Sequence, residues 1–250
     1  MRIFTLTDTH LHTEIDYHAF CNCAHENSGN FYDFIPQEGS RLTVSFGDLP
    51  PTGDVPSITI PCLRALVRGL TAGSRGDLDG LARELNGTLY LLGPRDLCAP
   101  WFCALVDPVR HELRYVNAGH EPPLLIRNHG GTNHGGTVER LERTGAVLGL
   151  SARGPHRQET TAIEAGDILA VFSEGVSDAL PGVRLQDVIL EHSQTGAAGL
   201  TGRVLEEAHR AASRTWPDED RTFAAMRVVG ACQRPLAEES AVESLAMCAA

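Results

Sequence analysis

The order of strand-like and helix-like segments in this sequence predicts an α+β fold built on antiparallel sheets. Segments with the alternating pattern of strands open the chain and return from Trp101 onward. Two segments with helical spacing of apolar residues separate these strands, and a second pair follows near residues 184–191 and 198–213. Runs of strands interrupted by paired helices are typical of sandwiches of antiparallel sheets.

The first strands are expected before residue 50. Residues 14–25 roughly alternate apolar and polar side chains, which predicts a strand followed by the turn NSGN. Residues 31–48 predict a hairpin, because Gly39 lies at its bend and the returning segment RLTVSFGD is rich in β-branched and aromatic residues.

Two helices are expected after this hairpin. The apolar face of the first is formed by Val55, Ile58, Leu63, Leu66, Val67 and Leu70. Pro61 should kink this helix or delay its start. Asp77 is a suitable N-cap for the second helix. The apolar residues of that helix recur at three- and four-residue spacing: Leu78, Leu81, Leu85 and Leu89.

The second half of the chain again has the two-residue period of strands. Strands are expected at 101–107, 113–119, 122–127, 138–142, 156–164, 167–173 and 221–229. The Gly- and His-rich segment 128–136 predicts a loop. No linker divides the chain, so we expect one domain over residues 14–232, with an N-terminal extension over 1–13 and a C-terminal tail over 233–250.

Composition narrows the class of function. The formal net charge of −11 over 250 residues argues against a nucleic-acid binder, which would need clustered Lys and Arg. No apolar run reaches the roughly 18–20 residues of a membrane span, so we expect no membrane partner. Seven cysteines form no CxxC pair, and no signal peptide is evident. These features predict a cytoplasmic protein with reduced thiols.

Acidic residues lie at the ends of three predicted strands. Asp48 ends one strand, Glu174 follows another, and Glu219 and Asp220 precede the last. A strand end is rigid while the loop beside it is open, which suits a carboxylate that binds a cation such as Mg²⁺ or Mn²⁺ through oxygen. Any one of these acids alone is more simply explained as a solvated or capping residue.

Seven sequence blocks, in order, resemble the SpoIIE/RsbU-type branch of the PPM metal-dependent serine/threonine phosphatases. The resemblance covers residues 14–230, and the blocks are NSGNFYDFIP, FGDLPPTGDVP, LRALVRGL, LRYVNAGHEPPLLIR, TGAVLGL, EAGDILAVFSEGVSDA and EDRTFAAMRV. It implies a four-layer αββα sandwich of two antiparallel sheets flanked by helices. It also implies two Mn²⁺ or Mg²⁺ ions in a cleft between the sheets, where a metal-activated water hydrolyses phosphoserine or phosphothreonine. The implied partner is a phosphoprotein substrate of the anti-sigma-factor-antagonist type.

The resemblance also implies the residues of the metal site. The family's first acidic ligand falls on Asn30, which is neutral, and the bridging aspartate is retained as Asp48. Leu49 would contribute its backbone carbonyl. The two remaining aspartates are replaced by Glu174 and Glu219, whose side chains are one methylene longer. Because Asn30 brings no charge, we expect the second metal to bind weakly and the water to be less acidified.

Three functions remain open at this stage. The first is an active phosphatase, with Mn²⁺ favoured because it tolerates less ideal geometry than Mg²⁺. The second is a catalytically weak or inactive domain that binds a phosphoprotein or an anti-sigma partner. The third is an amidohydrolase-type metal hydrolase that uses the pair His10 and His12.

Several other residues have two interpretations each. His120 either fixes a turn or transfers a proton, and we favour the turn. Asp33 either orients water at the metal site or caps its loop. Cys21 and Cys23 share a strand face and could pair under oxidation, although core packing is the default.

Overall fold

Groups of strands and groups of helices follow one another along the chain in the predicted order. The structure, a computed structural model, describes residues 14–23, 29–49, 59–93, 97–127, 137–212 and 220–229. The strands in this part of the chain are β1 (Ile15–Asn22), β2 (Asn30–Pro36), β3 (Leu42–Asp48), β4 (Trp101–Asp107), β5 (Glu112–Ala118), β6 (Leu124–Arg127), β7 (Thr137–Arg140), β8 (Glu159–Ala162), β9 (Ile168–Phe172) and β10 (Arg221–Val228). The helices are α1 (Thr59–Ser74), α2 (Leu78–Leu92), α3 (Glu174–Ala179), α4 (Val183–Glu191) and α5 (Gly196–Ala212).

The strands form two five-stranded sheets. The first sheet has the order β1-β10-β9-β6-β7 and the second has the order β2-β3-β4-β5-β8. Neighbouring strands are antiparallel in both sheets. β1 and β2 are therefore edge strands, and β1 pairs with β10 from the far end of the chain.

Three layers of apolar contact hold these elements together. The inner faces of the two sheets pack on each other through side chains that include Phe46, Phe102 and Leu169. The outer face of the second sheet packs on α1 and α2, and the outer face of the first sheet packs on α3, α4 and α5. The result is a four-layer αββα sandwich, which confirms the predicted fold class.

The helices α1 and α2 lie where the sequence predicts the first pair. α1 begins at Thr59, so Pro61 lies in its first turn, where a backbone amide has no partner inside the helix and proline removes no bond. The predicted face residues Val55 and Ile58 lie outside the described residues. Asp77 caps α2, and its Oδ1 accepts a hydrogen bond from the Gly80 amide at 2.9 Å.

The predicted strand at 156–164 is shorter in the structure. Only Glu159–Ala162 form β8, which lies at the edge of the second sheet. Three of its four side chains are exposed, so burial does not alternate along this strand. The short helix α3 was not predicted, because its six residues are too few to show a helical period. The predicted loop 128–136 and most of both terminal segments lie outside the described residues. Within the described ranges, no helix is long and apolar enough to cross a bilayer.

Arg127 links the two sheets at one edge of the sandwich. Its guanidinium lies at the end of β6 in the first sheet and donates to Thr161 Oγ1 at 2.8 Å and to the Ala162 carbonyl, both in β8 of the second sheet. It also pairs with Glu139 at 2.7 Å and with Asp167 at 3.3 Å. These contacts give the edge strands β7 and β8 a polar connection in addition to the apolar core.

Asp33 connects the second sheet to α1. It lies on β2 and is buried, and its neighbours Phe31 and Ile35 belong to the helix-facing core. Its two carboxylate oxygens accept hydrogen bonds from Arg68 at 2.5 Å each, and Arg64 lies 3.5 Å away. The carboxylate therefore faces α1 and joins an ion-pair network there, which differs from both interpretations of Asp33 based on the sequence.

Replacing Asp33 with Asn should destabilise the protein. The change removes the charge that two arginines share, and we expect the free energy of unfolding to fall by about 1–3 kcal/mol, since both arginines are partly exposed. Urea unfolding would measure the change. Glu38→Gln in the exposed turn before β3 is the control and should change stability by less than about 0.5 kcal/mol. Equal stability of Asp33→Asn and the parent chain would show that the network contributes nothing.

Candidate functional site

Asn30 and Asp48 lie opposite each other at one end of the sandwich. Asn30 is the first residue of β2, Asp48 is the last of β3, and the two are register partners in the antiparallel ladder. Side chains alternate along a strand, and Phe34 and Phe46, an even number of residues away, belong to the core between the sheets. Asn30 and Asp48 therefore project toward the cleft between the sheets, where the sequence predicted the metal site.

A hydrogen bond fixes Asn30 across this cleft. Its Nδ2 donates to Thr222 Oγ1 at 2.9 Å, and Thr222 lies on β10 of the opposite sheet. The amide nitrogen is thereby turned toward Thr222. A hydroxyl both donates and accepts, so Thr222 could equally donate to a carboxylate at position 30. The surroundings of Asn30 are thus compatible with the aspartate that the resemblance implies at this position.

Asp220 completes this end of the cleft. Its Oδ2 accepts a hydrogen bond from the Gly29 amide at 3.2 Å, and its backbone carbonyl accepts from Ser173 Oγ at 3.2 Å. Ser173 Oγ in turn accepts from the Thr222 amide at 3.0 Å. These bonds tie the segment before β2 to the end of β9 and the start of β10.

The backbones of Gly29 and Leu49, which flank Asn30 and Asp48 in the chain, approach each other closely. The Leu49 amide donates to the Gly29 carbonyl at 2.9 Å. A Cβ atom at Gly29 would lie 2.0 Å from the Leu49 carbonyl oxygen and 3.5 Å from Asp48 Oδ1. Only glycine fits at this position, and the close approach holds the Leu49 carbonyl beside the Asp48 carboxylate.

The predicted ligands are only partly assembled in the described residues. Asn30, Asp48 and the Leu49 carbonyl lie together. Glu174 is exposed at the start of α3 and directly follows Ser173, which bonds to Asp220 and Thr222. Glu219 lies outside the described residues, so its role stays a prediction, and the same holds for His10 and His12.

The chemistry of the donors fits a hard cation. Asp48, Asp220, Leu49 and Asn30 offer carboxylate, carbonyl and amide oxygens, which Mg²⁺ and Mn²⁺ prefer. Over the described ranges, no three His, Cys, Asp or Glu side chains converge closely enough to hold an ion. These residues therefore offer several oxygen donors to a cation. One of them, the Asn30 amide, carries no charge.

His120 supports the floor of the cleft. The ring is buried, its Nδ1 donates to the Glu121 carbonyl at 2.8 Å, and its centroid lies 5.1 Å from that of Phe46. Burial lowers the pKa of His120 to about 4, partly offset by the hydrogen bond to the Glu121 carbonyl. The ring is neutral near pH 7, which agrees with a residue that fixes the turn.

Sequence reasoning passed over Gly29, Ser173 and Thr222 as site residues. All three belong to the blocks that carry the family resemblance, so the signal was present in SGN, SEG and EDRT. What could not be read from the sequence was their contact, because Asn30 and Thr222 are 192 residues apart in the chain.

Replacing Gly29 with Ala should disturb the site and destabilise the protein. The new methyl group would overlap the Leu49 carbonyl, so the backbone must move, and we expect a loss of about 1–3 kcal/mol in the free energy of unfolding. Gly87→Ala is the matched control, because no atom lies within 4 Å of a Cβ there and alanine favours the α2 helix. Urea unfolding of both variants tests the geometry, and an unchanged Gly29→Ala would contradict it.

The buried neutral state of His120 should be visible in a pH titration. The folded-state pKa of His120 is about 4, below the ordinary value of 6.5. The contribution of the neutral ring to the free energy of unfolding is therefore complete above pH 6.5 and is lost as the pH falls toward 4. NMR of the imidazole carbons should give a midpoint near 4, and His120→Phe identifies the signal by its loss. A midpoint near 6.5 would show that the ring is solvated.

Comparison with known proteins places these features in a family. The family model described as "Stage II sporulation protein E (SpoIIE)" matches residues 55–229, more than half of the chain. The chain is 24% identical over 216 residues to the phosphoserine phosphatase RsbP of Bacillus subtilis (strain 168), which covers 82% of this chain and 52% of RsbP. It is 24% identical over 198 residues to the phosphoserine phosphatase RsbU of the same strain, covering 77% of this chain and 57% of RsbU.

Solved structures show the same fold. The PP2C phosphatase domain of SpoIIE from Bacillus subtilis, solved with a fragment of its regulatory domain, superposes with a TM-score of 0.67 at 15% identity, over 86% of this chain and 63% of that chain. The RsbU and RsbW domains of Rv1364c from Mycobacterium tuberculosis give a TM-score of 0.65 at 22% identity, over 87% of this chain and 62% of that one. The chain thus spans somewhat more than half the length of the curated relatives it matches. With its four-layer sandwich and the match of the family model over residues 55–229, this chain belongs to the SpoIIE family.

Proposed function

We propose that this chain is a metal-dependent protein serine/threonine phosphatase, which hydrolyses a phosphoserine or phosphothreonine monoester on a phosphoprotein of the anti-sigma-factor-antagonist type. The observation that carries the proposal is the pairing of Asp48 with Asn30 at the cleft, with Asp220 bonded to the adjacent Gly29. Membership of the SpoIIE family supports this reaction class, and two relatives are named phosphoserine phosphatases.

The proposed cation ligands are Asp48, the Leu49 carbonyl and the Asn30 amide oxygen, joined by Glu174 and Glu219. When bound, Mn²⁺ or Mg²⁺ lowers the pKa of a water and neutralises charge on the transferred phosphoryl group. The other residues position these ligands. Thr222 sets the rotation of the Asn30 amide, and Gly29 allows the Leu49 carbonyl to lie beside Asp48. Asp220 holds the Gly29 amide in place.

Asn30 should weaken the site without distorting it. An amide oxygen can bind a cation but carries no charge, so one of two metal positions loses electrostatic stabilisation. Glu174 and Glu219 keep their charge but extend it by one methylene, which a metal with less exacting geometry tolerates better. These two effects favour Mn²⁺ over Mg²⁺ and predict slow turnover.

A second candidate function is a binding module that keeps the fold and has little or no catalysis. The neutral amide of Asn30 favours it, because the family resemblance implies a charged carboxylate at this position. In this alternative the domain would bind the phosphoprotein or an anti-sigma partner and release it unchanged.

Restoring the carboxylate at position 30 should separate the two functions. We expect the parent chain to hydrolyse p-nitrophenyl phosphate or a phosphoserine peptide slowly, faster with Mn²⁺ than with Mg²⁺. Asn30→Asp should raise the rate about tenfold or more and tighten Mn²⁺ binding, because it adds a charged ligand whose surroundings already accept it. Asp48→Ala should abolish hydrolysis in both backgrounds. The measurement is the initial rate across a titration of each metal, with Mn²⁺ affinity determined separately by calorimetry.

Matched controls separate the site from general effects of charge. Gln194→Glu adds the same charge on an exposed loop and should leave the rate unchanged. Glu38→Ala removes an exposed acid and serves as the control for Asp48→Ala. If the parent chain shows no hydrolysis and Asn30→Asp does, the result favours the binding module. If hydrolysis survives in Asp48→Ala, the result contradicts the proposed site.

A further inference from the structure

Two cysteine thiols lie in contact at the end of β1. Cys21 is the next-to-last residue of this strand, and Cys23 directly follows its final residue. Their Sγ atoms are 3.1 Å apart, and neither residue is in a disulfide. Cys21 is half-buried and Cys23 is exposed, so one sulfur of the pair is accessible from solvent.

This thiol pair lies at the same end of the cleft as the functional site. Tyr17 and Ala19 precede Cys21 at alternate positions and belong to the core between the sheets, so Cys21 continues the cleft-facing side of β1. Cys21 is the register partner of Thr222, which accepts the hydrogen bond from Asn30. The sulfurs therefore lie one strand away from the residue that orients Asn30.

Tyr32 gives independent support for this placement. It lies on β2, partly buried against the core between the sheets, and its hydroxyl donates to the Ala19 carbonyl at 3.4 Å. Burial raises the pKa of Tyr32 to about 12, and the negative charge of the Cys21 and Cys23 thiolates at alkaline pH adds to the rise. The hydrogen bond to Ala19 places the Tyr32 hydroxyl over β1 two residues before Cys21.

We propose that Cys21 and Cys23 are an oxidation site, at which a hydroperoxide converts the two thiols into a disulfide beside the cleft. In the first step the thiolate of exposed Cys23 attacks the peroxide, the O–O bond breaks, and a sulfenic acid forms with release of water or an alcohol. In the second step the Cys21 thiolate attacks Cys23 Sγ, the S–S bond forms, the S–O bond of the sulfenic acid breaks, and the hydroxide that leaves takes a proton from solvent to become water. The two sulfurs lose two electrons in total, and the hydroperoxide accepts them.

The backbone permits this bond. Residues two apart on an extended strand have Cα atoms about 6.6 Å apart, which lies near the upper end of the 4.4–6.8 Å range of disulfides. β1 is an edge strand, and its ladder with β10 ends at the pair of Asn22 and Arg221. Cys23 lies beyond that ladder, so it can move toward Cys21 without breaking a strand hydrogen bond.

The bond should also affect the cleft, a consequence that rests on the proposed phosphatase function. Forming the bond turns the Cys21 side chain toward Cys23, and this side chain lies next to that of its register partner Thr222. That movement disturbs the hydrogen bond between Thr222 and Asn30, on which the orientation of the amide depends. We expect the rate of hydrolysis to fall about fivefold on oxidation, because the loss of one hydrogen bond typically changes an equilibrium by about this factor.

Mass spectrometry of the full chain tests the oxidation site without reference to activity. Trypsin releases residues 3–41 as one peptide, which contains Cys21 and Cys23 and no other cysteine. After treatment with hydrogen peroxide this peptide should lose two hydrogen atoms and regain them with dithiothreitol. Cys62→Ser, which removes an exposed thiol on α1, is the control and should give the same result. Cys21→Ser and Cys23→Ser should instead oxidise to sulfenic and sulfinic acids.

The outcomes distinguish this proposal from the phosphatase function. If residues 3–41 gain oxygen without losing hydrogen in the parent chain, or if Cys21 pairs with Cys62, the oxidation site is wrong. If the disulfide forms while hydrolysis stays constant, the coupling to Asn30 is wrong and the oxidation site stands. A dithiothreitol-reversible fall in the rate, present in Cys62→Ser and absent in Cys21→Ser, supports both parts. A chain with no hydrolysis before oxidation contradicts only the proposed phosphatase activity.

Discussion

Face-to-face packing of the two sheets is the constraint on which the site depends. Phe46 and Phe102 of the second sheet and Leu169 of the first are fully buried between them, and this contact fixes the separation and register of the strands. Asn30 and Asp48 extend the same inner face beyond the last apolar side chains. The cleft therefore begins where the apolar core between the sheets ends. Beyond that point the inward-facing side chains of β2 and β3 are polar.

Polar contacts stabilise the open end of this packing. The bond from Asn30 to Thr222 crosses between the sheets, and the bond from Gly29 to Asp220 does the same a few residues away. His120 packs against Phe46 and Phe102 as a neutral ring, because burial makes its protonated form unfavourable. The bonds to Thr222 and Asp220 hold Asn30 and Gly29 in fixed orientations at the end of the apolar core.

Asn30 differs in charge, more than in shape, from the aspartate that the family resemblance implies at this position. Its hydrogen-bond partner, the Thr222 hydroxyl, can serve an amide or a carboxylate equally well. Gly29 approaches the Leu49 carbonyl too closely for a larger residue, so the backbone beside Asp48 depends on this glycine. In the proposed phosphatase, the missing charge at position 30 would slow hydrolysis.

The fold was largely predictable because it depends on local periodicity. The hairpin of β2 and β3, the Asp77 cap and the two helix pairs each follow from residues close together in the sequence. The errors fell where local signals are weak, as in the short helix α3 and the shortened β8. Pro61 lies in the first turn of α1 as the structure describes it, and the predicted face residues Val55 and Ile58 lie outside the described residues.

By itself, the sequence determined the fold class and the family, and it predicted which residues correspond to metal ligands. Only the tertiary structure decided which of those residues meet and which side of a strand each one faces. Alternation shows that Asn30 and Asp33 lie on opposite faces of β2, but not that one face meets the other sheet and the other meets Arg68. The pairing of β1 with β10 joins the two ends of the chain, and it brings Cys21 beside Thr222. Contacts over such distances depend on the packing of whole sheets, so no local pattern in the sequence could reveal them.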